Sequence, residues 1–349
     1  MNVGGAGDDL GMTAPLPAPG GSSEEPFVHP PLPAAEAPIS RALVRELLAQ
    51  QHPDLVEREI ADPIEGFDMA VFRLGDDLAV RLPRHRGAAG SLASEIRWVG
   101  SLGSGWTFPT QRVVRVGEPG AGYPFCWAVT SWLPGELAAD RPLDPVAAPA
   151  LGRALSEVHR PAPAGAPFNS EQSIRLAERW PVLRRALPRL AEIGPASGHA
   201  IDPAAVERLW RGALAVPDDA DRVWIHADLH PFNVISRDGR FGGIIDWSDI
   251  AGGDPAVDLG YLWLLLPAAA VSAAYDAYGG VDGATAARAR GVALVKAAAL
   301  ATVEHQVVAG IGWRTLVRLG VASQVTAAPP VPAPGPLPGG GARAPLLPG

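Results

Sequence analysis

Residues 223–249, V-W-I-H-A-D-L-H-P-F-N-V-I-S-R-D-G-R-F-G-G-I-I-D-W-S-D, limit the possible folds more than any other part of the chain. The apolar runs 223–225, 234–236 and 243–245 read as short strands, and Asp238-Gly239 reads as a hairpin turn between the second and third. This patch is isolated. The segments around it, 145–159, 173–187, 203–214 and 255 to about 325, carry the periodicity of helices, with Asp202-Pro203 as a cap and first-turn proline. Apolar strands on both sides press His226, Asp228, Asn233 and Asp246 into a confined place, and chemistry is expected there.

The residue types suit one reaction. Transfer of a phosphoryl group to a hydroxyl needs a carboxylate that holds the hydroxyl in line and accepts its proton. It also needs oxygen ligands for Mg²⁺ bridging the phosphates. Asp228, Asn233 and Asp246 supply that set, and His226-x-Asp228-x-x-x-x-Asn233 has the spacing of a kinase catalytic loop. The plainer reading, a polar hairpin whose Asp and Asn form turns, is favoured for Asp238 alone. A third reading takes His226-x-Asp228-x-His230 as zinc ligands of a hydrolase, but no H-x-H or H-E-x-x-H partner lies nearby.

Here the chain resembles the aminoglycoside and macrolide phosphotransferase family. Its pattern H-G-D-L-x-P-x-N followed by I-D-[WF]-x-D is met by residues 226–233 and 245–249, with Ala227 in place of the usual Gly. The resemblance implies an α+β, bilobed protein-kinase-like fold, a small antiparallel-sheet N-terminal lobe and a mainly helical C-terminal lobe. It implies Asp228 as the catalytic base and Asn233 and Asp246 as the Mg²⁺ ligands, with ATP or GTP as co-substrate. His226 is expected to pack beneath the loop, and Asp254 and Asp258 to brace it.

The N-terminal half fits a small lobe. Ser40 caps an amphipathic helix, 57–60, 69–74 and 78–82 read as strands, 91–102 as a helix, and 112–116 and 126–132 as strands. Lys296 is the only lysine, so Arg81 is the candidate for the cation that the resemblance places at the end of the second strand, with Glu95 of the following helix expected to orient it. There is no G-x-G-x-x-G loop, only Gly66-Phe67-Asp68-Met69, and the phosphate grip is left unplaced. The resemblance puts adenine at the backbone of residues 127–132. Among ten Trp residues, core packing accounts for most, and Trp247, Trp180 and Trp210 are the ones to examine for a ligand role.

The expected organisation is a disordered tail over 1–36, a nucleotide-binding lobe over 37–132, a catalytic and substrate-binding lobe over 133–326, and a disordered Pro- and Gly-rich tail over 327–349. A net charge of -8 disfavours nucleic acid as a partner. The uncharged run 259–275 is interrupted by Gly260 and Pro267 and is too short to span a bilayer, so it reads as buried helix. The start of the chain lacks the pattern of a secretory signal, and a single cysteine, Cys126, read as a buried strand residue, fits a reducing cytoplasm. Oligomeric state is undetermined. The acceptor expected from the resemblance is a hydroxylated, amine-bearing antibiotic drawn to carboxylates such as Asp249 and Asp254, giving a resistance activity. A metabolite kinase of the choline, fructosamine or homoserine type and a nucleotide-binding pseudokinase are the alternatives.

Overall fold

Two hydrophobic patterns of different period build two lobes. A computed structural model of the chain describes residues 34–218 and 220–325. The first lobe contains α1 (Arg41–Gln51), β1 (Ile60–Glu65), β2 (Met69–Leu74), β3 (Leu78–Pro83), α2 (Arg86–Leu102), β4 (Val113–Gly117) and β5 (Trp127–Ser131). Its five strands form one antiparallel sheet in the order β1-β2-β3-β5-β4. Side chains alternate across a strand. Val80 and Leu82 of β3 therefore face the core shared with Val44, Leu47 and Leu48 of α1, while Arg81 faces α2 on the other side. On α2, the buried residues Ala88, Leu92, Glu95 and Val99 fall at helical spacing, which brings Glu95 onto the same inward stripe as its apolar neighbours.

Several boundaries differ from the sequence reading. The first strand is Ile60–Glu65 rather than 57–60, because an edge strand tolerates Pro63, and the register shifts between Ile60 and Pro63. Helix α2 starts five residues early, since His85 accepts the amide of Ala88 as its N-cap. Cys126 sits just before β5 and is only partly buried; burial and the nearby Glu118 carboxylate push its thiol up, which suits an inert side chain. Most of the tail expected over 1–36 and all of that over 327–349 lie outside the described residues. At the inner edge of the first, Glu36 donates its amide to the Arg84 carbonyl at 2.8 Å and its carboxylate accepts the Arg86 amide at 3.0 Å.

The second lobe begins with β6 (Glu136–Leu137), α3 (Ala148–Val158), α4 (Trp180–Ile193), β7 (His199–Ile201) and α5 (Pro203–Leu214), the last capped by Asp202 as expected. Then come β8 (Val223–Ile225), β9 (Val234–Arg237), β10 (Arg240–Ile244) and β11 (Ala251–Gly253), and finally α6 (Ala256–Leu265), α7 (Ala268–Tyr278), α8 (Gly283–Ala301), α9 (Gln306–Arg318) and β12 (Ala322–Gln324). Helix α8 is central and packs on α4, α5, α6 and α9. The helix expected over 173–187 lies further on, at Trp180–Ile193, after a short 3-10 turn. The run 259–275 is two helices, because Pro267 forces Leu266 into an extended conformation. No helix among the described residues is long and apolar enough to cross a membrane.

Strands β6, β7, β11 and β12 escape a reading by periodicity because two or three residues show none. Each nevertheless pairs: β6 with β9, β11 with β8, and β12 with β7. The lobes meet along the segment before β4. Thr110 forms a parallel bridge with Ile244, and the Gln111 amide donates to the Ile244 carbonyl at 3.2 Å. Gly243 makes this approach possible. Its φ is +142°, and a Cβ there would lie 2.6 Å from the Pro109 carbonyl oxygen.

Candidate active site

The loop from His226 to Asn233 leaves β8 and returns as β9, and its backbone is held from below by Asp258. That carboxylate, fully buried in the first turn of α6, accepts the amides of His226 at 2.7 Å and Ala227 at 2.9 Å, and Nε2 of His159 at 3.1 Å. Ala227 has φ +72°, the left-handed region that glycine occupies without penalty, so the family's usual Gly is what this turn prefers. His226 is fully buried: its Nδ1 accepts the Asp228 amide at 3.2 Å and its Nε2 donates to the Ile245 carbonyl at 3.0 Å. Both ring nitrogens are therefore engaged by backbone, which removes His226 as a zinc ligand and fits the packing expected of it.

Asp228 collects three donors. The Tyr261 hydroxyl reaches Oδ1 at 3.1 Å, while Nδ2 of Asn233 at 3.3 Å and Nε2 of His230 at 3.1 Å reach Oδ2. Burial alone would raise its pKa, but His230, Lys296 and His226 outweigh it and hold the carboxyl far below the usual range. Burial works against the charge on His230 as well; there Asp228 outweighs it and pushes the ring up. Asn233 also donates to the Asp228 carbonyl at 2.9 Å, which fixes its amide and leaves Oδ1 as a free acceptor.

Asp246 lies just beyond β10 with φ +57°, its amide donated to Oε1 of Gln111 at 3.0 Å. Gln111 in turn donates to Thr130 of β5 at 2.9 Å, which ties this carboxylate to the strand where the lobes join. Arg81 completes the connection. One arm reaches both oxygens of Glu95 at 2.7 Å, and the other reaches Oδ1 of Asp246 at 2.8 Å. Burial opposes its charge, but Glu95 and Asp246 outweigh that cost and keep it cationic. A lysine has no such fork and would have to choose between the two carboxylates.

Asn233 Oδ1 and Asp246 Oδ2 are two hard oxygen donors that accept no hydrogen bond from the described residues. Such a pair fits Mg²⁺, which takes one or two protein ligands and completes its shell with phosphate oxygens and water. Among the described residues there is no group of three or more His, Cys, Asp or Glu able to hold a metal alone, as a zinc centre requires.

The other side of Asp228 is lined from the helical lobe. Asp249 accepts Nδ2 of Asn169 at 2.9 Å, and burial together with Asp228 and Asp246 pushes its carboxyl up to about 6. Asp254 is not available to an amine, contrary to expectation. It is paired with Arg288 at 2.6 Å and caps α6 through the Ala256 amide at 2.9 Å, a bracing position. Lys296 of α8 lies over the ring of Tyr261, 5.5 Å from its centroid. The tryptophans singled out for a ligand role pack instead. Trp247 is fully buried, stacks on Trp106 at 4.4 Å and donates to Thr110, and Trp180 stacks on Trp210.

The structure thus brings Arg81, Glu95, Asp228, Asn233 and Asp246 together and puts His226 and Asp258 directly beneath them, with Asp254 one turn away. Sequence reasoning missed Tyr261, Gln111, His159 and His230 as partners of these groups. Only Tyr261 carried a signal, its i, i+3 spacing from Asp258 on one helix face.

Comparison with known proteins bears on the fold and the family. A homoserine kinase from Gluconacetobacter diazotrophicus is 31% identical over 196 residues, which cover 54% of this chain and 58% of that protein's length. Among solved structures, the GDP complex of wild-type aminoglycoside 2'-phosphotransferase-IIIa superposes with a TM-score of 0.59 at 16% identity, over 81% of this chain and 99% of the other. The GDP and kanamycin complex of a related APH(2") enzyme gives 0.56 at 17% identity, over 74% and 90%. At such identities the structural likeness establishes the fold alone, the kinase-like arrangement of sheet and helical lobes. The phosphotransferase enzyme family, APH, matches residues 60–292 directly, a span that runs from β1 into α8 and contains Arg81, Glu95, Asp228, Asn233, Asp246 and Asp258, and the chain belongs to that family.

Proposed function

We propose that the protein transfers the γ-phosphoryl group of ATP or GTP directly to a hydroxyl of a small molecule, with Asp228 as the catalytic base. The observation that carries this reading is the juxtaposition of Asp228, whose Oδ1 accepts one hydrogen bond and keeps a lone pair for a hydroxyl, with the free oxygens of Asn233 and Asp246. Tyr261, Asn233 and His230 fix the carboxylate so that an acceptor hydroxyl donates to Oδ1 and points its oxygen at the phosphorus. A carboxyl held so low is a weak base. It suits a loose transition state in which positioning and electrostatics matter more than early proton removal. Mg²⁺, held by Asn233 and Asp246, would neutralise charge on the phosphates, and Arg81, steered by Glu95, would add a fixed cation beside it. The pseudokinase alternative rests on the lack of a lysine in the sheet lobe, a place that Arg81 fills.

For the acceptor, the antibiotic reading draws support from the kanamycin complex of the structural relative and from Asp249 as a carboxylate near Asp228. The metabolite reading draws support from the homoserine kinase relative. Both share the hydroxyl and the in-line transfer, and the cytoplasm, with its ATP, GTP and Mg²⁺, is where we place the reaction. The test is product detection with ATP and GTP against aminoglycosides, macrolides, choline, homoserine and glycated amines. Transfer to at least one hydroxyl is expected, and Asp228→Asn should lower turnover by about 10²- to 10⁴-fold while nucleotide binding persists. Equal turnover by Asp228→Asn on an identified acceptor contradicts the assignment of the base.

A further inference from the structure

Helix α2 is divided between the two lobes, and the division falls next to Glu95. Its first half lies against the sheet, where Ala88 and Leu92 form a small core with Met69 of β2 and Ala128 of β5. Its second half packs elsewhere. Val99 belongs to the core of the helical lobe, and Trp98 and Leu102 pack against that same core. The ring of Trp98 lies 5.0 Å from the ring of Trp224 and is tilted to it by 50°. Trp224 is the middle residue of β8, almost fully buried, and stands two positions before His226, where the catalytic loop begins.

The segment after α2 continues this attachment. Arg112 donates to the Gly103 carbonyl at the end of the helix at 2.9 Å, and Thr107 bonds the Glu157 carboxylate of α3 through both its amide and its hydroxyl, each at 2.6 Å. Trp106 stacks on Trp247, the neighbour of Asp246. The two carboxylates that Arg81 holds are therefore both carried on chain fixed to the helical lobe, whereas Arg81 itself comes from the sheet. Two of the four buried residues between α2 and the sheet are alanines, which bring little apolar area. An indole pair buries far more, so the anchor on the helical lobe decides where α2 stands. Glu95 and Trp98 are within one turn of each other, and fixing one fixes the other.

Building on the phosphotransferase reading above, we infer that Trp98 is a positioning residue for the nucleotide. Its packing on Trp224 pins α2 to the strand that enters the catalytic loop, which holds Glu95 in place and, through Glu95, steers Arg81 to the phosphates. Trp98 acts only through Glu95 and takes no part in the bond changes. Without this anchor α2 samples poses in which Arg81 loses Glu95, and nucleotide affinity falls in proportion to the fraction of molecules that keep the pair.

The experiment is calorimetric titration of ATP and GTP in Mg²⁺ on wild type, Trp98→Ala, Trp98→Phe, Glu95→Gln and the double variant Trp98→Ala with Glu95→Gln, with melting curves to establish that each folds. If Trp98→Ala does not fold, Trp98→Leu, which keeps more of the volume without the ring, replaces it in both backgrounds. The nucleotide that wild type binds should bind Trp98→Ala about 3- to 10-fold more weakly, the worth of one aromatic pair. Trp98→Phe keeps a ring for Trp224 and should recover most of that loss. In the Glu95→Gln background the change at Trp98 should alter affinity less than about twofold, because the charge that it positions is gone. A role confined to stability would lower the melting midpoint in both backgrounds and leave affinity alone. Wild-type affinity in Trp98→Ala, or an equal loss of affinity in both backgrounds, overturns the inference while the kinase reading stands. Absence of nucleotide binding by wild type overturns the kinase reading and this inference with it.

Discussion

Arg81 and Lys296 are both buried or half-buried cations close to the catalytic loop, and the fold treats them in opposite ways. Arg81, on the sheet side, holds three carboxylate oxygens from two different parts of the chain. Lys296, on the helical side, has only the face of Tyr261. The same contrast divides the carboxylates: Asp258 is saturated by two amides and a histidine, whereas Asp249 has one amide partner and a raised pKa. Charges already neutralised by the protein are fixed in place, and losing one leaves its partners buried and unpaired. Asp249 keeps acceptor capacity that the described residues do not fill.

The comparison breaks most visibly at Asp258. Asp258→Ala leaves the His226 and Ala227 amides buried without an acceptor and should lower unfolding free energy by about 3–5 kcal/mol, read as a shift of the urea midpoint with the slope unchanged. A loss well under 1 kcal/mol would mean that water or a loop shift replaces the carboxylate easily, and the distinction between saturated and open charges would lose its basis.

Much of this was legible in the residues themselves. The spacing of His226, Asp228 and Asn233 and the apolar strand before Asp246 identify the loop because such a loop must run between two strands to reach the same point twice. Arg81 and Glu95 came from the register of the family resemblance, and the structure puts one on the sheet face toward α2 and the other on that helix's inward stripe. What escaped were contacts between elements distant in sequence. Gln111 reaches Asp246 across 135 residues, and His159 reaches Asp258 across 99, and no local pattern encodes either. Asp254 looked like a free carboxylate because its partner, Arg288, lies on a helix whose register against α6 a sequence does not state.

The smallest expected effect concerns backbone strain rather than charge. Ala227→Gly should stabilise the protein by about 1 kcal/mol, since the left-handed conformation costs alanine what glycine does not incur. Thermal melting measures it, and a fall in the midpoint would show that the buried methyl group contributes more than the strain removes.

The central claim is that the network of Arg81, Asn233 and Asp246 seats a nucleotide's phosphates together with Mg²⁺. Calorimetric titration of ATP and GTP, in Mg²⁺ and in EDTA, tests it on wild type, Asp246→Ala and Arg81→Ala. One of the two nucleotides should bind wild type at least about tenfold more tightly with Mg²⁺, a difference of 1.4 kcal/mol. Asp246→Ala should lose that difference, and Arg81→Ala should weaken binding under both conditions because it removes a phosphate contact and not a metal ligand. Equal wild-type affinity with and without Mg²⁺, or wild-type affinity in Arg81→Ala, would contradict the account.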